Sequence, residues 1–409
     1  MGSFNIIICG GGLAGLACAI GLTKKGHKVT VLEASPELGE VGAGIQIPPN
    51  AVRVLSEYGI LDKFTPIVTK PKSLVVRRYD TGEVLSTTPF DPHTTDTYGY
   101  PYFVIHRADY LKILYDSAIE SSVHVIMNAR VDKVDVETTT VILTTGEQYT
   151  ADLIIGADGI RSKVRDTAVV TDETVLPLPS AHCAYRATIP RDVMLADPLI
   201  AHLMTDVNSN CWIGYRRHIM AYPIRNGEMY NMVLVNPGQA PVGKWNVAGD
   251  LEEMRNHYKT YDPVVQRLLS HVTSTLQWVL ADMPKLPRWV KGNVALIGDA
   301  AHAMLPYLAQ GAAQAIEDGA TLISELDAID TVDEIPAALV KYQKRRVIRA
   351  QTIQAGARNV GDTWHLPDGD EQVERDAKMK ARDDDNPSKW ANQGFQQWLF
   401  GWNAFTNEY

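Results

Sequence analysis

A glycine-rich turn near the start of the chain constrains the fold more than any other feature. The apolar residues 6–9 lead into Gly10-Gly11-Gly12-Leu13-Ala14-Gly15, and a helical pattern follows. A second apolar strand, Lys28–Leu32, then ends at Glu33, 23 residues after Gly10. This order of strand, glycine turn, helix, strand and acid is typical of a Rossmann-like unit that binds a dinucleotide.

The glycines of this turn have separate steric tasks. Gly10 allows the tight turn, Gly12 lets backbone amides approach a pyrophosphate, and Gly15 lets the helix pack against the strand. The helix N-terminus adds amide donors and partial positive charge. Glu33 is placed to accept hydrogen bonds from ribose hydroxyls, which suits FAD or NAD and disfavours a 2′-phosphate. A purely structural turn is disfavoured because strand, helix and acid are all present.

Two further motifs follow apolar runs later in the chain. The first runs from Gly156 to Arg165 and contains Asp158, and the second contains Asp299 directly after Gly298. Each aspartate therefore lies just beyond a strand's carboxyl end, where open α/β sheets bind ligands. Asp299 could accept from cofactor hydroxyls, and a helix beginning at Gly311 could stabilise a reduced ring. Because either Gly-Asp pair alone often only shapes a turn, it is the ordered series that indicates a flavin.

On these motifs the chain resembles the single-component FAD-dependent aromatic hydroxylases, the group that contains salicylate hydroxylase, 3-hydroxybenzoate 6-hydroxylase and 6-hydroxynicotinate 3-monooxygenase. The resemblance covers nearly the whole chain and includes residues 41–50, 106–111, 185–186, 309–318 and 365–369. The last of these segments looks most like fungal salicylate-hydroxylase relatives. Ala309 departs from the pattern, because many wider relatives carry glycine there.

The resemblance implies an α/β fold: a Rossmann-like FAD-binding domain with an inserted antiparallel β-sheet substrate domain and C-terminal helices. The sequence pattern agrees with an inserted sheet, because closely spaced strand-like runs occur at residues 183–189, 200–204, 211–216, 218–224 and 229–235. We therefore predict that residues 1–175 and 286–409 form the FAD-binding domain. Residues 176–285 are predicted to form the substrate domain, with a small excursion to it near residues 70–100.

The resemblance also implies the cofactor residues, which lie in the three motifs and in neighbouring loops. They are Gly10, Gly12, Leu13, Ala14, Gly15, Glu33, Ala34, Val41, Gly42, Arg107, Val131, Asp158, Asp299, Gly311 and Ala312. We expect FAD to be held non-covalently, because no histidine or cysteine is obviously placed for a bond to the flavin. NADH or NADPH is implied as a transient electron donor, without a second glycine-rich unit of its own.

The chemistry implied by the resemblance is oxygen transfer from a flavin C4a-hydroperoxide to an electron-rich aromatic ring. A phenol reacts better as phenolate, yet a free phenol has a pKa of ~10, so some group must take its proton. Strand alternation puts Arg216, His218, Met220 and Tyr222 on one face. Related hydroxylases carry a His and a Tyr at this spacing, which implies His218 as the base and Tyr222 as a hydrogen-bond donor.

From the residues alone, simple packing of His218 and Tyr222 within the sheet remains open. The expected substrate is a phenolic aromatic acid, with a salicylate-like molecule favoured. Further candidates for binding it are Arg186, Tyr307, Gln46 and Pro306. Arg186 could pair with a substrate carboxylate, with the flavin or with a core acid, and the sequence leaves all three open.

Composition excludes several other classes. A chain of 409 residues with a net charge of −9 has no basic footprint for nucleic acid, and residues 344–346 are expected on a solvated helix face. The four cysteines lack metal-binding spacing, so we expect buried, reduced thiols and no metal. With no targeting signal and no apolar run of ~18 residues, the expected location is the cytoplasm, with no membrane partner and a monomeric or homodimeric state.

Three alternatives remain open. A fungal flavin-dependent dearomatase would share the fold and oxidant, and a flavin reductase of the geranylgeranyl-reductase type would share the nucleotide motifs. A flavin-binding module without turnover is the third.

We expect His302 to shape its loop, and the C-terminal aromatic residues to pack the tail or an interface; these are Trp390, Trp398, Phe400, Trp402 and Phe405.

Overall fold

A computed structural model describes residues 2–39, 43–238, 246–381 and 386–409. Val41 and Gly42, two residues expected at the FAD site, lie outside the described residues, as does the acidic run 383–385. The fold is mixed α/β, with one largely parallel six-stranded sheet and one largely antiparallel eight-stranded sheet, accompanied by a three-stranded and a two-stranded sheet. Within the described ranges, no helix has both the length and the apolar character needed to cross a membrane.

The strands are β1 (Asn5–Cys9), β2 (Lys28–Leu32), β3 (Gly44–Ile47), β4 (Ser73–Arg78), β5 (Val84–Pro89), β6 (Phe103–His106), β7 (His124–Ile126), β8 (Val131–Asp135), β9 (Thr140–Leu143), β10 (Gln148–Thr150), β11 (Leu153–Gly156), β12 (Leu178–Pro190), β13 (Ser209–Gly214), β14 (Arg217–Ile224), β15 (Met229–Pro237), β16 (Asn246–Ala248), β17 (Leu276–Asp282), β18 (Val290–Lys291) and β19 (Val294–Leu296). The α-helices are α1 (Leu13–Lys24), α2 (Pro49–Glu57), α3 (His93–Tyr98), α4 (Arg107–Glu120), α5 (Arg191–Ala196), α6 (His202–Thr205), α7 (Leu251–His257), α8 (Pro263–Ser270), α9 (Asp299–His302), α10 (Gly311–Leu326), α11 (Ile335–Trp364), α12 (Asp370–Lys380) and α13 (Gln393–Phe400). Shorter helical turns cover Leu61–Lys63, Arg165–Val169, Pro306–Leu308 and Val332–Glu334.

The parallel sheet brings the three sequence motifs together. Its strand order is β18-β19-β11-β1-β2-β7, and only β18 runs antiparallel to its neighbour. Ile8 on β1 is in register with Val31 on β2 and Ile155 on β11. Because β1, β11 and β19 are adjacent and parallel, the glycine turn and both Gly-Asp motifs emerge at the same carboxyl edge. The strands predicted before each motif are therefore confirmed.

The larger sheet has the order β16-β17-β12-β15-β14-β13-β4-β5 and is antiparallel except for the β13–β4 pair. Strands β4 and β5 reach it from the first quarter of the chain. In the β14–β15 pair, His218 is in register with Val235 and Tyr222 with Asn231. An inserted antiparallel sheet is thus present, while the residue boundaries of the two domains stay a prediction.

Two sequence-based assignments in this region were wrong. Residues 200–204 form no strand: 200 and 201 lie in a turn and 202–204 begin α6, and Ile200, Leu203 and Met204 are buried. Apolar residues spaced three and four apart fit a helix face, which the run of hydrophobic letters concealed. Arg216 does not share a face with His218, because it lies exposed in a turn with a left-handed φ of +55°.

The cationic segment 344–346 also departs from its prediction. Lys344 is exposed, but Arg346 is fully buried and Arg345 is mostly covered. The reason is that α11 packs against α10, whose buried acids attract the guanidinium groups. The four cysteines are all buried and unpaired, as expected.

Candidate active site

A cavity of about 360 Å³ lies between the motif-bearing edge of the parallel sheet and strands β14 and β15. This volume is within the range of small-molecule sites. The predicted site residues that line it are Gly12, Leu13, Ala14, Gln46, Arg107, Arg186, His218, Tyr222, Asp299, Pro306, Tyr307, Gly311 and Ala312. Those that are described but do not line it are Gly10, Gly15, Glu33, Ala34, Val131 and Asp158.

The glycine turn has the shape that a bound pyrophosphate needs. A Cβ on Gly10, whose φ is +114°, would come 2.3 Å from the Ala157 carbonyl oxygen. A Cβ on Gly15 would come 2.0 Å from the Gly10 carbonyl oxygen, so neither position accepts a side chain. Gly12, by contrast, has no atom within 4 Å of its Cβ direction and lines the cavity at the start of α1. The open space and the helix N-terminus fit a dinucleotide phosphate.

Glu33, which directly follows β2, stabilises the same turn through hydrogen bonds. One carboxylate oxygen accepts a hydrogen bond from the Gly11 N–H at 2.7 Å, and the other accepts from the Ser35 N–H at 2.8 Å. Each oxygen keeps a further lone pair for a ribose hydroxyl. Ala34 follows Glu33 and is half-buried, whereas Val131 packs into the core of the parallel-sheet layer.

Asp158 is turned into its own loop. Its carboxylate accepts from the Ser162 hydroxyl, from the Lys163 N–H at 2.7 Å and from the Val164 N–H at 3.1 Å. Burial raises the pKa of Asp158, and these hydrogen bonds oppose the rise. The neighbours Ala157 and Gly159 line the cavity instead. In this arrangement Asp158 shapes the loop, and its predicted contact with a cofactor stays a prediction.

Asp299 opens directly on the cavity. Burial among surrounding protein atoms raises its pKa, while His302 and Arg107 act to lower it. Arg107 lines the cavity opposite, and its pKa is lowered by burial and by the neighbouring charge of Arg186, with Asp299 acting in the other direction. One acid and two cations therefore share this cavity, with the acid at the nucleotide side.

Behind Asp299 lies a buried network that the sequence analysis missed. Asp318 accepts hydrogen bonds from the Gly298 N–H at 2.8 Å and from Arg346 at 2.8 Å, and its carboxylate lies 2.6 Å from His302 Nε2. Glu317 binds Arg346 at 2.6 Å and Arg349 at 2.8 Å. This network fixes the turn that carries Asp299. Its sequence signal was a pair of adjacent acids within an otherwise apolar helical pattern.

On the opposite wall, Arg186 projects from β12 beside Tyr222. Its guanidinium lies 5.1 Å from the ring centroid of Trp278, and its Nε is buried without a hydrogen-bond partner among the described residues. Burial lowers the pKa of Arg186. The group acting to raise that pKa is Tyr222, which is a phenol and not a carboxylate. Across the described part of the chain, no carboxylate pairs with Arg186.

Tyr222 and Gln46 are positioned by close contacts between the larger sheet and the short two-stranded sheet of β3 and β6. A Cβ on Gly44 would come 2.6 Å from the Tyr222 ring, and the Gly44 N–H donates to the Asn231 side chain at 2.7 Å. Gln46, two residues along β3, accepts from the Tyr102 hydroxyl at 2.6 Å. Burial raises the pKa of Tyr222, with Arg186 opposing the rise, so Tyr222 stays a neutral hydrogen-bond donor.

His218 lines the cavity and is almost fully buried. Its ring meets the rings of Tyr307 and Trp364 edge-on, with centroids 5.2 Å and 5.1 Å away. Burial lowers the pKa of His218 well below its ordinary value, and the nearby His365 and His182 lower it further. A histidine with a pKa lowered in this way is neutral at physiological pH.

Several apolar walls come from segments that carried no functional prediction. Trp364 ends α11, Trp390 precedes α13, and both line the cavity with Met220, Val233 and Val235. Trp390, which was expected to pack the C-terminal tail or an interface, also donates its indole N–H to the Tyr307 carbonyl oxygen at 3.0 Å. The cavity therefore has apolar walls on one side and the polar groups of β12 and β14 on the other.

Comparison with known proteins gives concordant matches. The family model described as an FAD binding domain matches residues 3–357. The FAD-dependent monooxygenase OpS4 of Beauveria bassiana (strain ARSEF 2860) is 37% identical, covering 98% of this chain and 95% of that protein. The 3-hydroxybenzoate 6-hydroxylase of Polaromonas naphthalenivorans (strain CJ2) is 32% identical, covering 98% of this chain and 96% of that protein. A salicylate hydroxylase substrate complex superposes with a TM-score of 0.82 at 26% identity, covering 98% of this chain and 96% of that one.

Proposed function

Because the chain belongs to the family of FAD-dependent aromatic monooxygenases, we propose that it hydroxylates a small phenolic aromatic acid, with a salicylate-like molecule favoured. The family membership confirms the resemblance drawn from the motifs, the α/β fold class and FAD as the cofactor. NAD(P)H dependence is typical of this family, and bound FAD supplies the activated oxygen that reaches the substrate ring.

The observation that carries the proposal is Arg186. A guanidinium that faces a cavity without a carboxylate partner is costly, unless an anion that binds there compensates its charge. A substrate carboxylate suits the planar fork of an arginine through two parallel hydrogen bonds. The nearby Tyr222 adds a neutral donor. Together they favour an aromatic acid over a neutral phenol.

The residues of this chain would divide the work by their place in the cavity. Gly12 and Glu33 would hold the nucleotide part of FAD, Asp299 would accept from its sugar hydroxyls, and the N-terminus of α10 at Gly311 would stabilise negative charge on its ring. On the other wall, His218 would receive the phenolic proton. The apolar lining would exclude water from the reacting groups.

Replacing Arg186 by methionine tests the proposal. The KM for salicylate or 3-hydroxybenzoate should rise about 10- to 150-fold, since a charge-assisted hydrogen bond contributes about 1.5–3 kcal/mol. The affinity for phenol itself, which has no carboxylate, should change little, and the FAD content should stay near that of the wild type. Steady-state NAD(P)H oxidation coupled to product formation measures the KM for the acids and for phenol.

Arg191→Met is the matched control, because Arg191 is exposed at the start of α5 and does not line the cavity. If Arg186→Met kept the wild-type KM for every hydroxybenzoate while hydroxylating them normally, the carboxylate site would be wrong. If the wild-type protein hydroxylated no phenolic acid at all, the substrate class itself would be wrong.

A second experiment addresses the cofactor side. Asp299→Ala should weaken FAD binding by roughly 30- to 150-fold, because about 2–3 kcal/mol of charge-assisted hydrogen bonding to the sugar chain is lost. Asp299→Asn keeps an acceptor without the charge and should give an intermediate loss. FAD titration of the apoprotein by fluorescence quenching measures the affinity. A folded Asp299→Ala variant with wild-type affinity would remove Asp299 from the site.

A further inference from the structure

His218 is joined to a second histidine that carried no predicted role. Its Nδ1 lies 2.9 Å from His365 Nε2, and the two rings stack with centroids 5.1 Å apart and an interplanar angle of 29°. His365 caps the C-terminus of α11, where its backbone N–H bonds to the Gly361 carbonyl oxygen at 3.0 Å. The pair is therefore held by both β14 and α11.

The two rings lead from the cavity toward the surface. His218 is 3% exposed and lines the cavity, and no described residue forms a hydrogen bond with its Nε2. His365 is only half-buried, and its Nδ1 is likewise without a hydrogen-bond partner within the described ranges. One hydrogen bond between ring nitrogens thus joins a residue that lines the cavity to a residue that is half-buried.

The groups that face this pair keep both rings neutral. His182, Arg375 and Arg216 surround His365, and burial together with these groups lowers its pKa to about 3. Around His218 the neighbouring rings are those of Tyr307 and Trp364, neither of which supplies a negative charge at neutral pH. A stable imidazolium is therefore disfavoured at either position, so a simple acid–base exchange at His218 does not account for removal of a proton.

We infer that His218 and His365 form a two-histidine relay that carries the phenolic proton of the substrate from the cavity to solvent, an inference that rests on the proposed function. The phenol gives its proton to His218 Nε2 while His218 passes its Nδ1 proton to His365 Nε2, and His365 releases its Nδ1 proton to water. Each ring gains one proton and loses one, so both end neutral in the opposite tautomer. The reverse transfer reprotonates the phenolic product and restores the starting tautomers.

His365 is accordingly a positioning residue that acts through His218. A merely structural role would require only that its side chain hold the ring of His218 in place. The two roles separate in His365→Gln, because a glutamine amide can keep a hydrogen bond to His218 Nδ1 but cannot exchange ring protons. The relay predicts loss of proton transfer in this variant, whereas the structural role predicts no change.

The experiment follows proton release when FAD-loaded protein is mixed with salicylate or 3-hydroxybenzoate in weak buffer containing a pH indicator. His365→Gln should release the proton about 10²-fold more slowly than the wild type, with a near-normal substrate affinity and FAD content. In His365→Ala, added imidazole should restore part of the lost rate. His202→Gln is the matched control, because His202 is exposed on α6 and does not line the cavity.

The outcomes separate the relay from the proposed function. Proton release at the wild-type rate in His365→Gln, with the wild type forming hydroxylated product, overturns the relay and leaves the function standing. Slow release that imidazole does not accelerate in His365→Ala also counts against it. If the wild type forms no hydroxylated product from either acid, the proposed function fails and the relay fails with it.

Discussion

Replacing Arg346 by methionine should lower the free energy of unfolding by about 3–5 kcal/mol, the cost typical of removing one partner from a buried ion pair. Arg346 is fully buried and binds both Asp318 and Glu317. Without it, Asp318 keeps His302 and the Gly298 N–H as partners, and Glu317 keeps Arg349 and the Asn50 amide. FAD affinity should fall as well, because Asp318 orients the turn that holds Asp299.

The loss should depend on pH in a defined direction. Burial alone would raise the pKa of Glu317, but the charges of Arg349 and Arg346 outweigh it and leave the pKa below its ordinary value. The pKa of Asp318 is lowered likewise, with His302 and Arg346 outweighing burial. Acids with a depressed folded pKa stabilise the protein above their unfolded pKa of ~4 and lose that contribution as the pH falls through the folded value. The difference between wild type and variant should therefore be largest near pH 7 and shrink below about pH 4.

Urea unfolding followed by tryptophan fluorescence measures the difference. Lys344→Met is the matched control, since Lys344 lies two residues earlier on the same helix and is exposed; its effect should stay within about 0.5 kcal/mol. Equal stability of Arg346→Met and Lys344→Met at neutral pH would show that the buried network contributes nothing net.

His218→Ala should slow hydroxylation by roughly 10²- to 10⁴-fold, the range expected when a group that accepts a proton is lost. No other imidazole lines the cavity within the described residues. FAD binding should stay near normal because His218 lies on β14, away from the glycine turn. NAD(P)H oxidation should continue with release of hydrogen peroxide, since the unactivated phenol is a poor oxygen acceptor. Tyr222→Phe should act in the same direction.

Product formation, peroxide and NAD(P)H consumption measured together distinguish uncoupling from general damage. His202→Ala is a suitable control for the loss of an imidazole, as its side chain is exposed. Fully coupled hydroxylation at the wild-type rate in both His218→Ala and Tyr222→Phe would contradict the assignment. Attention would then move to Tyr307 and Arg186 as the groups that activate the substrate.

The glycine turn and the strands before the three motifs could be predicted from the sequence because their determinants are local. A glycine whose Cβ would strike a backbone oxygen at 2.3 Å or 2.0 Å leaves little choice of residue, as at Gly10 and Gly15. The parallel order of the adjacent strands β1, β11 and β19 then brings the three motifs to one edge. Local propensity misled where one apolar run fits both the strand repeat and the helix repeat, as at residues 200–204, which form a turn and the start of α6.

The residues on the substrate side of the cavity could be predicted from the sequence only in part. Alternation along one strand correctly places His218, Met220 and Tyr222 together at the cavity, since strand geometry is also local. It could not indicate that His365, 147 residues away, would meet His218, or that this contact would lower its pKa. A pKa depends on every charge and on the solvent around a group, and these are set by the packing of distant segments.

By itself, then, the sequence determined the strand–turn–helix units, the cofactor class and the strand that carries the candidate catalytic residues, because each depends on neighbours a few residues apart. The tertiary structure alone decided which charges are buried and what meets them. Arg346, read as part of a solvated face, lies in the interior because Glu317 and Asp318 on another helix compensate its charge. Burying an ion requires a partner at close range, and that partner can come from any part of the chain that the fold brings near.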